Sequence, residues 1–148
     1  MRLLFVCTGN TCRSPMAEAI AKHAAKERGL GGFDVGSAGI AAQEGQPASR
    51  GALRAMEARG LSLEGHRARL LTPELAKGAD LILTMTVAHA RAVRQIAPGA
   101  NVFALRGYLG ESGDVADPWG GPDEEYALCA RELERLVSQA VKRWADPS

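Results

Sequence analysis

Nine consecutive residues, Cys7-Thr8-Gly9-Asn10-Thr11-Cys12-Arg13-Ser14-Pro15, bring a nucleophile, a loop and a cation into one short stretch. A cysteine attacks as its thiolate. Cys7 opens the stretch and Arg13 lies six positions on. A guanidinium presents a planar fork of donors. It suits two phosphate oxygens and the charge that builds during phosphoryl transfer. The apolar run Leu3-Leu4-Phe5-Val6 before the loop reads as a buried strand, and Met16-Ala17-Glu18-Ala19-Ile20-Ala21 after it reads as a helix. A strand, a glycine-containing loop and a helix N-terminus in that order aim backbone N–H groups at one point. The helix dipole adds about half a positive charge there. The pattern is a phosphate-sized anion site with a thiol at its base.

Other loop residues fit this geometry. Gly9 allows close backbone approach or positive φ. Asn10 is of the type next most tolerant of a left-handed conformation. Ser14 reads as the helix N-cap and Pro15 as the first helical residue. The spacing alone leaves a plain alternative, with Cys7 buried at a strand end and Arg13 in a surface ion pair.

The elements that must hold this loop alternate along the chain. A helix is expected from Ser14 to Arg28, ended by Gly29. Residues 33–37 read as a strand, and Pro47 to Arg59 as a helix closed by Gly60. Thr72-Pro73-Glu74-Leu75 starts a short helix with an N-cap and an N1 proline. Strands follow at Asp80 to Met85 and Asn101 to Leu105, separated by a helix from Val87 to Ala97. In the last helix Tyr126, Cys129, Leu133, Leu136, Val137, Ala140 and Trp144 share one face. This pattern predicts an α/β fold, one domain over residues 1–148, with a four-stranded parallel doubly wound sheet flanked by helices. Such sheets bind ligands beyond the C-terminal strand ends. Cys7, Ser37, Met85 and Asp117 all fall at or after such ends.

Composition agrees. The 148 residues are 46% hydrophobic and 24% charged, with a net charge of +1. No broad field favours nucleic acid or an anionic membrane. The apolar run at the start stops at the loop, too short for a signal peptide's core. Three cysteines argue against a secreted disulfide scaffold. A cytoplasmic enzyme is expected, as a monomer, with no nucleic-acid or membrane partner. No cofactor and no metal are expected. Cys7, Cys12 and Cys129 lack zinc spacing, and a thiolate used as a ligand could not also attack.

At Cys7 to Pro15 the chain resembles the active-site loop of the low-molecular-weight protein tyrosine phosphatases, a family that includes the bacterial protein-arginine phosphatases. Ser37-Ala38-Gly39, His66-Arg67-Ala68-Arg69, the segment Asp80 to Met85 and Asp117-Pro118 extend the resemblance along the whole chain. It implies a flavodoxin-like sheet. It also implies a phosphocysteine intermediate on Cys7, formed within the phosphate-binding loop Thr8 to Arg13. Asp117 would serve as proton donor and then base, with Pro118 stiffening its approach. Local sequence alone reads Asp117-Pro118-Trp119-Gly120-Gly121 as a turn. The resemblance also implies a hydrogen bond from Ser14 to the thiolate, and a network of Asn10, Ser37 and His66 supporting the loop. His23 and His89 lie on expected helices and read as surface residues, and Cys129 reads as packing.

Cys12 carries two readings: a redox partner that forms a disulfide with an oxidised Cys7, or a side chain facing the core behind the loop. Thr11 and Trp119 bear on substrate choice. Where tyrosine phosphatases of the family carry a bulky aliphatic residue, this chain has Thr11, and only Trp119 offers a stacking wall. Both departures resemble the protein-arginine phosphatases. A hydroxyl together with a carboxylate can hydrogen-bond a guanidinium, and those groups left unpaired penalise a phenyl substrate. The substrate expected is therefore phosphoarginine in proteins or peptides, with phosphotyrosine as the alternative. Thiol-dependent arsenate reduction is the remote alternative: relatives with the same fold and loop carry relay cysteines near the third strand, and this chain has none there. A non-catalytic phosphoprotein-binding module would not need both Cys7 and Asp117.

Overall fold

The protein is described by a computed structural model that covers residues 1–146. Four parallel strands form one sheet: β1 (Arg2–Cys7), β2 (Asp34–Gly39), β3 (Leu81–Thr84) and β4 (Val102–Ala104), in the order β2-β1-β3-β4. Helices α1 (Arg13–Glu27), α2 (Arg50–Glu57), α3 (Pro73–Lys77), α4 (Val87–Ile96), α5 (Leu105–Tyr108) and α6 (Asp123–Ala145) cover it. The expected doubly wound α/β arrangement is present. Strand order reverses at β1, so the crevice opens where Cys7 ends that strand.

Strand β1 is buried on both faces. Leu3 and Phe5 point into a core with Met16, Ile20, Leu133, Leu136 and Val137 from α1 and α6. Leu4 and Val6 point the other way, onto Ala76 of α3 and Ala90 and Val93 of α4. This two-sided burial is why β1 reads as an unbroken apolar run. In α6, Tyr126, Cys129, Leu133, Leu136, Val137 and Ala140 are buried, and Trp144 packs edge-on against Phe33. Among the described residues no helix is long and apolar enough to cross a membrane.

Most element boundaries differ from the sequence reading by one to three residues, and two of these differences have a clear local cause. Helix α2 begins at Arg50 rather than Pro47, because Ser49 caps it by accepting from the Ala52 N–H. Leu105 does not end β4. It starts α5, a single turn that swings the chain toward α6.

Candidate active site

The loop between β1 and α1 is held by residues distant in the chain. Asn10 has φ of 57°, so the left-handed position falls on Asn10 and not on Gly9. The side chain of Asn10 sustains that backbone. Its Nδ2 donates to Ser14 Oγ at 2.8 Å and to Ser37 Oγ at 2.9 Å, and its Oδ1 accepts from the Arg69 N–H at 3.0 Å. The His66 Nε2–H donates to the Asn10 carbonyl at 2.7 Å. Ser37 passes its own proton to Glu18 Oε1 at 2.5 Å. Gly39 lets the loop lie against β2, since a Cβ there would sit 2.5 Å from the Thr8 carbonyl and 2.9 Å from the Asn10 nitrogen.

This network bears directly on Cys7. Ser14 Oγ lies 2.9 Å from Cys7 Sγ. Because Asn10 already donates to that hydroxyl, its proton is free to point at sulfur. The Asn10 N–H donates to the same sulfur at 3.3 Å. Two donors therefore converge on one buried sulfur. Among the described residues the N–H groups of Gly9, Thr11 and Cys12 have no acceptor, which leaves them for an anion at the N-terminus of α1. Ser14 is thus not the helix cap. Cys12 occupies that position without a side-chain cap, and the Ser14 hydroxyl turns inward to the Cys7 sulfur.

Arg13 is buried, which excludes the surface ion pair. Its Nη1 donates to the Val115 carbonyl at 2.8 Å, and its Nη2 lies 3.5 Å from Asp117 Oδ2. The Val115 N–H in turn donates to the Met85 carbonyl at the end of β3. Asp117 stays half-exposed, and its Oδ1 accepts from the Trp119 N–H at 3.1 Å. A cleft of about 280 Å³ is lined by Cys7, Thr8, Gly9, Thr11, Cys12, Arg13, Gln46, Asp117 and Trp119. Pro118 is buried, and Trp119 stands 71% exposed at the rim of the cleft.

Cys12 sits behind the loop, with Ser49 Oγ at 3.1 Å and the Tyr126 hydroxyl at 3.4 Å from its sulfur. Burial, together with the bond to Cys12, pushes the Tyr126 phenol up to about 12. Burial likewise pushes Cys129 up to about 12, so that thiol stays protonated and packs. His23 is on the surface, paired with Glu27 at 2.5 Å.

His89 corrects the sequence reading. It is not a surface residue. It is 5% exposed, and its Nε2 lies 2.8 Å from Thr8 Oγ1. Glu18, Gln46, Arg69 and Tyr126 are further site residues that the sequence reading does not single out. A signal for Glu18 exists, since it lies four positions after Ser14 on the same helix face.

The sequence matches the family described as low molecular weight phosphotyrosine protein phosphatase over residues 2–146. It is 42% identical over 150 residues to a protein-arginine-phosphatase of Bacillus subtilis (strain 168), covering 97% of this chain and 96% of that one. It is 35% identical to the low molecular weight protein-tyrosine-phosphatase PtpB of Staphylococcus epidermidis, covering 94% and 96%. A solved mutant of the arginine phosphatase YwlE, with a phosphorylated active site serine, matches with a TM-score of 0.94 at 40% identity, covering 99% of this chain and 97% of that one. The chain belongs to the low molecular weight phosphotyrosine protein phosphatase family.

Proposed function

We propose that this protein is a cysteine-dependent phosphatase that removes phosphate from arginine side chains of proteins, working as one domain and as a monomer in the cytoplasm. One observation carries the reading. A buried thiol with two converging donors lies at the floor of a cleft whose walls carry Arg13 and Asp117 3.5 Å apart. In the first step the Cys7 thiolate attacks phosphorus in line, and an S–P bond forms as the P–N bond breaks. Asp117 gives its proton to the leaving guanidine nitrogen. Arg13 and the free loop N–H groups hold the equatorial oxygens, where charge builds. In the second step water attacks phosphorus and Asp117 takes its proton. The S–P bond breaks, and phosphate and thiolate are released. The solved relative with a phosphorylated active site serine supports this covalent route.

The choice of arginine rests on the cleft mouth. The Thr11 hydroxyl has only a long contact to Cys12 Sγ at 3.7 Å, so it is open to a guanidinium N–H. Asp117 offers a carboxylate beside it, and Trp119 a face for the planar group. Two relatives, 42% and 39% identical, carry the name protein-arginine-phosphatase. The exposed indole also suits a phenol ring, which keeps phosphotyrosine as the second reading. Comparing kcat/KM on phosphoarginine and phosphotyrosine peptides decides between them. Preference for phosphoarginine is expected, and preference for phosphotyrosine overturns the choice while keeping the mechanism. Thr11→Ile is expected to move the ratio toward phosphotyrosine. An unchanged ratio removes Thr11 as the selector.

A further inference from the structure

His89 is a buried imidazole at the loop that the mechanism above leaves idle. It stands in the first turn of α4, where its N–H donates to Thr86 Oγ1 at 3.0 Å. Its Nε2 reaches Thr8 Oγ1 at 2.8 Å across a sequence distance of 81 residues. Its Nδ1 is buried and has no partner among the described residues. The same turn also touches the acid-bearing loop, because the Val87 N–H donates to Asp114 Oδ1 at 2.9 Å.

A neutral ring with one partner must choose where its proton sits. A proton on Nδ1 would bury a donor with no acceptor. A proton on Nε2 leaves only a bare lone pair, the less rare defect in folded proteins. With Nε2–H as donor, Thr8 Oγ1 must accept, and its own hydrogen is then free. Thr8 lines the cleft together with Cys7, Arg13 and Asp117. We propose that His89 is a positioning residue: its Nε2–H fixes the Thr8 hydroxyl so that this hydroxyl donates its hydrogen to a phosphoryl oxygen in the cleft. Thr8 thereby adds a side-chain donor to the backbone N–H groups of the loop. The proposal rests on the phosphatase reading above.

The charges around His89 agree. Arg13 of α1, and Asp114 and Asp117 of the acid-bearing loop, are the charged groups that act on the ring. Burial first and Arg13 second bring the ring down to about 4, against the opposing pull of the two carboxylates. At neutral pH the ring therefore carries one proton, as the tautomer argument requires.

The test uses p-nitrophenyl phosphate, so it does not depend on the choice of arginine. His89→Leu and Thr8→Val are each expected to lower kcat about three- to tenfold with KM little changed, the scale of one lost hydrogen bond. The double variant is expected to fall no further than either single one. His89→Gln, whose amide nitrogen reaches the place of Nε2, is expected to recover most of the rate. Losses that multiply in the double variant overturn the proposal. So does a Gln variant as slow as a folded Leu variant. Should His89→Leu not fold, nitrogen-15 NMR of the ring in the wild-type protein decides the tautomer. A protonated Nε2 and bare Nδ1 are expected, and the reverse overturns the proposal. Failure of the phosphatase reading looks different: the wild-type protein would not turn over the substrate at all, whatever the ring shows.

Discussion

Two loops meet at the cleft, and they are built in opposite ways. The phosphate loop is tied down at nearly every residue. Asn10, Ser14 and Arg13 are buried, and Asn10 alone makes three side-chain hydrogen bonds. The acid-bearing loop is anchored at its root by Asp114 and Val115, but beyond them Asp117 and Trp119 stand in solvent. Electrostatic stabilisation of a transition state needs donors that do not reorganise during the reaction. Proton transfer to a leaving group and then from water needs a carboxylate that both can reach. On the proposed mechanism the rigid side serves charge, and the open side serves protons and access.

This contrast can be broken from either side. Asp117→Ala is expected to lower kcat about a hundredfold, a typical general-acid effect, while the unfolding midpoint stays near wild type. A variant with unchanged turnover would remove Asp117 from the mechanism. Asn10→Ala should do both kinds of damage. It leaves Ser14, Ser37 and the Arg69 N–H without their partner and puts alanine at φ of 57°. About 2–4 kcal/mol of stability should be lost, read by urea unfolding, together with at least tenfold in kcat. An Asn10→Ala protein as stable as wild type would mean that the loop holds its shape without the network.

A pH series sharpens the comparison on a smaller scale. The unfolded His89 ring titrates near 6.5 and the folded one at about 4, so the unfolded chain takes up the proton first as pH falls. The contribution of His89 is full above pH 6.5 and is lost between pH 6.5 and 4, up to about 3 kcal/mol. His89→Gln is expected to flatten that part of the stability curve. An equal acid slope in both proteins would show that His89 does not set it. Trp119→Ala has the smallest expected effect: KM rises a few-fold with kcat nearly constant, because an exposed ring at the rim contributes about 1 kcal/mol of contact. A fall in kcat instead would place Trp119 in the acid's positioning.

Much of this architecture can be read from the residues. Leu3 to Val6 announce a strand buried on both faces, and the stripe from Tyr126 to Ala140 announces α6. Cys7 and Arg13 are legible because a buried strand precedes their loop and a helix follows it, and the family resemblance assigns Asp117. What stays hidden depends on pairing across the fold. Nothing near His89 in the chain says that its partner is Thr8, and its helix places it beside the buried Ala90 and Val93 rather than in water. Ser14 misleads for a related reason. Serine before proline fits a cap, but β1 and the Asn10 amide draw its hydroxyl into the loop instead. Leu105 continues the apolar run of β4, so the turn that begins α5 has no local signal.

On the proposed mechanism phosphate passes through the Cys7 sulfur. Acid-quenching the Asp117→Ala protein during turnover of p-nitrophenyl phosphate, followed by peptide mass spectrometry, tests it directly. With an activated leaving group the first step needs little help from the acid, while the second lacks its base, so phosphocysteine should accumulate at Cys7. A peptide containing Cys7 that carries no phosphate, together with wild-type turnover by Cys7→Ala, would contradict the account.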